Sequence, residues 1–67
     1  MKETFGERLR ALRNDKNIGQ VELAKALNVS KGVISLWENN LREPSMGSIK
    51  AIAIYFGVTS DYLLGLE

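Results

Sequence analysis

The chain has 67 residues, of which 45% are hydrophobic, with nine Lys and Arg against eight Asp and Glu. It has neither Cys nor His, which excludes disulfide bonds and the usual thiolate or imidazole metal sites. This length allows one small domain with an apolar core, and a net charge of +1 neither favours nor excludes a nucleic-acid partner.

The first predicted helix covers residues 3–16. Thr4 and Glu7 have the spacing of a capping box near its start. Asn17 follows, and asparagine tolerates the left-handed conformation in which a helix commonly ends. Along the inner side of this helix, apolar residues recur at spacings of four and three: Phe5, Leu9 and Leu12.

Two short amphipathic helices joined by a tight turn are predicted over residues 20–38. Gly19 is a weak N-cap for the first, Asn28 suits the left-handed turn, and Ser30 offers a hydroxyl cap to the second. The apolar positions again follow helical spacing: Leu23, Ala24 and Leu27, then Val33, Ile34 and Trp37. An exposed helix face directly after such a turn is the arrangement that enters a DNA major groove. The segment therefore predicts binding to double-stranded DNA.

A loop over residues 39–44 precedes the fourth predicted helix. Pro44 biases the residue before it away from helical conformation. Ser45 is the expected N-cap, and Gly57 is the expected left-handed end. The residues predicted to face inward are Met46, Ile49, Ile52, Ala53 and Phe56.

A fifth helix is predicted between Thr59 as its cap and Gly65 as its end. Because no segment alternates like a strand, the expected fold is all-α, with a single domain over residues 1–65. Residues 66–67, Leu and Glu, are either native or a vector-derived scar, and in the second case the natural chain continues past Gly65.

Several classes of function find no support in the sequence. There is no phosphate-binding glycine loop and no cluster of carboxylates at catalytic spacing, so we expect no enzymatic activity, no cofactor, no metal and no small-molecule ligand. No run of about 20 apolar residues could span a membrane, and the first residues do not form a secretory signal. A cytoplasmic protein is expected.

Short motifs occur in a fixed order over nearly the whole chain, at residues 6–10, 13, 20–24, 28–30, 34–38, 44–45 and 56–65. Their order and spacing resemble the phage-repressor and Cro-like helix-turn-helix family of bacteria and phages, also called the xenobiotic-response-element type. The resemblance implies a five-helix, lambda-repressor-like domain whose second and third helices form the helix-turn-helix.

The resemblance also implies which residues read DNA bases from the outer face of the third helix. Lys31 can donate to guanine O6 and N7, whereas Leu36 can contact a thymine methyl but cannot hydrogen-bond a base. Gly32 has no side chain and can only let the backbone approach closely. The alternative for each position is an ordinary solvated surface residue. The implied base-contact residues are Lys31, Gly32, Ser35 and Leu36.

Other family roles transfer to the DNA backbone and to the internal support of the third helix. Gln20 resembles a residue that binds a phosphate and supports the recognition helix. Arg42 resembles a residue that contacts a phosphate, and the alternative is an ordinary polar residue of a loop. Arg13 and Glu38 match an ion pair that ties the first helix to the end of the third. The implied backbone-contact residues are Gln20, Ser30, Asn39, Asn40 and Arg42.

A homodimer is expected from the outer face of the fourth helix. Gly47, Ala51 and Ile54 lie at successive spacings of four and three, opposite the predicted inner stripe. With Tyr55 and Thr59 nearby, they could form a self-complementary patch. Two such subunits would place their recognition helices about 34 Å apart and require a near-palindromic operator. The alternative is an exposed helix face with one isolated isoleucine.

The function implied by the resemblance is that of a sequence-specific transcriptional regulator. Repression by covering a promoter is the first expectation, and activation through contact with the polymerase is the alternative. The alternative from another class of function is an antitoxin, which uses the same domain, binds a protein toxin and regulates its own operon. A helical scaffold that has lost DNA binding is a third alternative, which the weak base readers Gly32 and Leu36 leave open.

Overall fold

The structure is a computed structural model that describes residues 3–66. Within that range the chain forms five α-helices, which are α1 (Phe5–Asp15), α2 (Gln20–Leu27), α3 (Lys31–Glu38), α4 (Met46–Phe56) and α5 (Ser60–Leu64). The expected all-α fold, with its helix-turn-helix at α2 and α3, is confirmed. The first two residues of the predicted domain and the possible vector-derived Glu67 lie outside the described residues.

Side-chain caps explain where most of these helices begin. Thr4 and Glu7 form the predicted capping box of α1, because Thr4 Oγ1 accepts from the Glu7 N–H at 3.2 Å and Glu7 Oε1 accepts from the Thr4 N–H at 2.9 Å. Ser30, Ser45 and Thr59 each accept a backbone N–H of the helix that they precede. The N-cap of α2, Gly19, provides no side-chain cap, which leaves the first amides of that helix open.

Left-handed residues end several of the helices or their turns. Asn17 and Asn28 have φ of +56° and +59°, and Gly57 and Gly65 have φ of +69° and +75°, as expected from the sequence. Asn40 is also left-handed, with φ of +58°, which we did not expect. The chain therefore changes direction at short polar or glycine positions that tolerate this conformation.

The core lies where all five helices meet. α3 packs against both α1 and α2, and α4 packs against α2 and α5. Six large aliphatic side chains are fully buried there, namely Leu9, Leu23, Ile34, Ile49, Ile52 and Leu63. Trp37 is 3% exposed and packs edge-on against Phe5, with ring centroids 6.5 Å apart.

Met46 does not face inward as predicted, because it is 66% exposed. It is the first residue of α4, and the buried stripe begins one turn later at Ile49. Helical spacing predicts which side of a helix is apolar, but it does not predict how far along the helix the core extends.

No helix within residues 3–66 is both long enough and apolar enough to cross a membrane.

Candidate nucleic-acid interface

The turn between α2 and α3 fixes the angle of the helix pair. Asn28 takes the left-handed conformation, and the Val29 N–H donates to the Ala24 carbonyl at 3.0 Å. Ser30 then caps α3 by accepting from the Val33 N–H at 3.2 Å. Because Leu23, Ala24, Ile34 and Trp37 are buried, the opposite side of α3 is left facing outward.

The outward side of α3 carries the predicted base-contact residues. Lys31 and Gly32 are exposed, and Ser35 and Leu36 are half-buried. A Cβ added to Gly32 would find Ser30 Oγ at 3.8 Å as its nearest neighbour, so the space beside this position is open. Lys31 has no ion-pair or hydrogen-bond partner among the described residues, and its ammonium group is available to a ligand.

Glu38 is a buried carboxylate that joins α1, α2 and α3. Its side chain is 0% exposed. Arg13 Nε lies 2.7 Å from Glu38 Oε2, and Arg13 Nη2 donates to Oε1 at 3.2 Å. Gln20 Nε2 also donates to Oε1, at 3.1 Å, and Arg10 Nε lies 3.5 Å from the same oxygen. We call Glu38 with Arg10, Arg13 and Gln20 the Glu38 cluster.

The Glu38 cluster keeps its central carboxylate charged. Burial alone would raise the pKa of Glu38, but hydrogen bonds from Arg13 and Gln20 and the nearby positive charge hold the pKa below its usual value. The hydrogen bond to Glu38 likewise raises the pKa of Arg13. A fully paired buried carboxylate fixes the end of α3 relative to the other two helices. Arg10 was missed in the sequence, although its spacing of three from Arg13 places both on one helix face.

The loop after α3 begins with two asparagines that are both held by α1. Asn39 Nδ2 donates to the Ser35 carbonyl at 2.9 Å, and Arg10 Nη2 donates to Asn39 Oδ1 at 3.3 Å. Asn40 Oδ1 accepts from the Gly6 N–H at 3.1 Å. The sequence predicted neither contact with α1, because both join residues far apart in the chain.

α1 and α3 approach each other closely at Gly6. A Cβ at this position would lie 2.5 Å from the carbonyl oxygens of both Trp37 and Glu38, a distance that no side chain tolerates. A glycine inside a helix weakens it by about 1 kcal/mol relative to alanine, but Gly32 and Gly47 also lie inside helices with open space beside them, so the sequence did not single out this contact.

The predicted dimer residues do not all lie on one free surface. Tyr55 is half-buried, packs edge-on against Phe56, and lies under Lys16 Nζ at 4.9 Å from the ring centroid. Thr59 caps α5 by accepting from the Tyr62 N–H at 3.0 Å. Exposed on the outer side of α4 are Gly47, Ala51 and Ile54, the last at 82%.

An open cleft of about 250 Å³ lies between the helix-turn-helix and the start of α4. Leu27, Val29 and Trp37 line one side, and the other side is lined by Ser45, Gly47, Ser48 and Ala51. Pockets for drug-sized ligands usually measure about 300–1,000 Å³, and we assign no ligand to this cleft. The sequence does not predict this cleft.

Within residues 3–66, no three His, Cys, Asp or Glu side chains are grouped as they would be to hold a metal ion.

A helix-turn-helix with an exposed second helix, supported from behind by a buried ion-pair cluster, defines a class of DNA-binding domain. The sequence pattern of the helix-turn-helix family matches residues 9–63. The chain belongs to this family, which consists of DNA-binding transcriptional regulators and not of enzymes.

Several members of this family are similar over nearly the whole chain. The HTH-type transcriptional activator BcrR of Enterococcus faecalis is 46% identical over 63 residues, which cover 94% of this chain and 31% of that protein. The immunity repressor protein of Bacillus phage phi105 is 30% identical over 64 residues, covering 96% of this chain and 44% of the repressor. The chain thus spans less than half the length of either relative.

A solved structure shares the fold closely. The P22 c2 repressor, crystallised in complex with a synthetic operator, superposes with a TM-score of 0.91 and 35% identity, over 97% of this chain and 98% of the repressor chain. The family resemblance and the lambda-repressor-like fold inferred from the sequence are therefore confirmed.

Proposed function

We propose that this chain is the sequence-specific, double-stranded-DNA-binding domain of a transcriptional regulator, with α3 in the major groove. The observation that carries the proposal is the outward face of α3, exposed at Lys31 and Gly32 on a helix whose end is fixed by the Glu38 cluster. The fold shared with the P22 c2 repressor, which was crystallised with an operator, supports DNA binding.

In this orientation the four outward residues of α3 read the bases. Lys31 donates to a guanine, and Leu36 contacts a thymine methyl. Gly32 lets the α3 backbone approach the base edges closely, and the Ser35 hydroxyl donates to or accepts from a neighbouring base. With a single cationic reader, the number of base pairs read by hydrogen bonds is small.

The DNA backbone is held on both sides of α3. Gln20 uses one of the two N–H groups on Nε2 for Glu38, which leaves the other for a phosphate. The uncapped N-terminus of α2 favours a phosphate at the same place. The Ser30 hydroxyl, which accepts from Val33, still has a proton to donate. Across the groove, the loop that carries Asn39, Asn40 and Arg42 forms the second contact region.

Binding to duplex DNA should weaken steeply with salt. Each phosphate neutralised by the protein contributes about −0.9 to the slope of log affinity against log salt, because condensed counterions are released. The measurement is a fluorescence-anisotropy titration on a duplex that the protein selects from a randomised pool. If no duplex binds at low salt, the proposed function is wrong.

Lys31→Ala and Arg42→Ala should weaken binding in different ways. Loss of Lys31 removes a base contact, so affinity for the selected duplex should fall by about 1–3 kcal/mol and preference should relax at one base pair. Loss of Arg42 should weaken selected and random duplexes alike and flatten the salt slope by about 0.9. Lys25→Ala removes an equal charge from an exposed position on α2 and is the control. Equal effects of Lys31→Ala on both duplexes would refute its role as a base reader.

We further propose that two subunits meet through the outer face of α4 and bind a near-palindromic operator. The support is the exposed apolar surface of Ile54 beside the small residues Gly47 and Ala51, which permit close approach of two helices. Tyr55, which packs against Phe56, and Thr59, which caps α5, are expected at the edge of this patch.

Ile54→Lys should abolish assembly of two subunits on a palindromic duplex and leave the fold intact, since Ile54 is 82% exposed. Leu64→Lys adds the same charge at an exposed apolar position on α5 and should leave assembly unchanged. Sedimentation of the protein with the selected duplex gives the stoichiometry. Two cooperative subunits per duplex with Ile54→Lys would place the interface elsewhere.

Repression is the first candidate activity, and the phi105 relative is named a repressor. Activation is the second, because the relative with 46% identity is named an activator. The domain itself represses when its operator overlaps a promoter and is compatible with activation when the operator lies upstream. A reporter with the selected operator at each position separates the two activities.

A further inference from the structure

The side chain of Asn40 joins the loop after α3 to the first turn of α1 through both of its polar atoms. Asn40 Oδ1 accepts from the Gly6 N–H at 3.1 Å, and Asn40 Nδ2 donates to Thr4 Oγ1 at 3.0 Å. Thr4 is the N-cap of α1 and is itself bonded to Glu7. These contacts, which we call the Asn40 clamp, connect segments 34 and 36 residues apart.

Asn40 combines a left-handed backbone with two side-chain hydrogen bonds. Its φ of +58° is one that glycine adopts without strain and that asparagine tolerates better than most residues. Asn17 and Asn28 are left-handed too, but neither makes a side-chain hydrogen bond within residues 3–66. Glycine could form the same left-handed turn. Only asparagine adds the two side-chain hydrogen bonds to α1.

Arg42 is the first cation after this anchor. The backbone just before it is fixed, because the Leu41 N–H donates to the Leu36 carbonyl at 2.8 Å and Asn40 is held by α1. The Arg42 side chain is exposed and has no hydrogen-bond or ion-pair partner in the described part of the chain. The backbone on the N-terminal side of Arg42 is thus held against the domain at two successive residues.

We infer that Asn40 is a positioning residue that holds this loop against α1 so that Arg42 meets a DNA phosphate, rather than a residue that contacts the phosphate itself. The inference rests on the proposed DNA-binding function. The contacts of Asn40 favour positioning, because Oδ1 and one N–H of Nδ2 are both engaged by α1. A direct phosphate contact could use only the second N–H of Nδ2.

The first test removes the clamp and retains the backbone. Asn40→Gly keeps the left-handed turn, and Asn17→Gly is the matched control at a left-handed asparagine without a clamp. In the DNA-free protein, hydrogen exchange of the Gly6 amide should become about tenfold faster in Asn40→Gly and stay unchanged in Asn17→Gly, since loss of one hydrogen bond opens that amide locally. Unchanged exchange of the Gly6 amide in both variants would show that the Asn40 clamp does not protect this amide and would overturn the inference.

The second test measures DNA binding by anisotropy, on a duplex selected by the wild-type protein and on a random-sequence duplex. Asn40→Gly should lower affinity for both by about tenfold, the size of one charge-assisted hydrogen bond, and flatten the salt slope by about 0.9. Arg42→Ala should add no further loss in the Asn40→Gly background. Additive losses would show that Asn40 and Arg42 act separately and would overturn the inference.

Substitutions of Thr4 distinguish positioning from direct contact. Thr4→Val removes the hydroxyl that Asn40 binds and should weaken DNA binding as Asn40→Gly does, whereas Thr4→Ser keeps the hydroxyl and should bind like wild type. If Thr4→Val remains folded and binds DNA normally, the clamp does not position Arg42. Failure of the wild-type protein to bind any duplex overturns the proposed function and this inference together, whereas wild-type binding with additive losses overturns the inference alone.

Discussion

Replacing Glu38 with glutamine should lower the free energy of unfolding by about 3–5 kcal/mol, because it leaves the Arg13 guanidinium largely buried without its anionic partner. The Arg13 side chain is only 14% exposed, so water cannot fully replace the lost carboxylate. A domain of this size has a total stability of roughly 3–10 kcal/mol, so between about a third of it and all of it would be lost. Urea unfolding followed by circular dichroism measures the change.

Two variants control for this effect. Glu22→Gln makes the same substitution at an exposed position of α2 and should change stability by no more than about 0.5 kcal/mol. Adding Arg13→Gln to Glu38→Gln should cost less than the sum of the single variants, because no unpaired charge is then left at the centre. Full additivity would mean that the ion pair contributes nothing to the folded state.

The same carboxylate makes stability depend on pH. The folded pKa of Glu38 is below its ordinary value of 4.5, so the unfolded chain takes up the proton first as pH falls. Its contribution is therefore complete above about pH 4.5 and is lost as pH falls through the folded pKa. The loss of stability on acidification should be shallower in Glu38→Gln, with a remainder from Glu7, whose pKa is also lowered. An unchanged acid profile would exclude Glu38 as its source.

Gly6→Ala should destabilise the protein by about 1–3 kcal/mol or more, the range for forcing an extra methyl into a packed site. The new Cβ would lie 2.5 Å from two backbone oxygens of α3, and backbone cannot move aside as a flexible side chain can. α1 would have to separate from α3, which would also lengthen the bonds from Arg13 to Glu38. Thermal unfolding measures the effect.

Gly47→Ala is the matched control for this substitution. It also lies inside a helix, but its nearest neighbour would be Ser45 Oγ at 3.9 Å. Without a clash, alanine should stabilise α4 by up to about 1 kcal/mol. Opposite signs for the two variants are the expected result. A stabilising Gly6→Ala would mean that α1 and α3 are not in close contact.

Helix ends and most core positions could be predicted because their signals are local. A capping hydroxyl, a left-handed asparagine and an apolar stripe each act within one or two turns, and Thr4, Asn28 and Ile34 follow those rules. The prediction that Met46 faces inward was wrong, because the extent of the core along α4 depends on which neighbouring helices reach it. The left-handed turn at Asn40 had the same local signal as Asn17.

The support of the candidate site was harder to predict than its surface. The outward residues of α3 follow from the family resemblance and helical spacing. By contrast, the contacts of Arg10 with Glu38, of Gly6 with the end of α3, and of Asn40 with α1 join positions 28 to 36 residues apart. A single sequence contains no direct record of which distant backbone segments touch, so such contacts appear only when the helices are assembled.

Because the space beside Gly32 is open, a side chain at this position can alter DNA specificity with little effect on the stability of the fold. Any residue placed there projects from α3 without meeting a neighbour closer than 3.8 Å at its Cβ, and most would remove the helix penalty of glycine, about 1 kcal/mol. Substitutions that alter function commonly reduce stability, but this position is free of that conflict. In the proposed orientation, a side chain at Gly32 would take the place of the close backbone approach. One codon change at this position can therefore alter the base preference of the domain at little cost in stability.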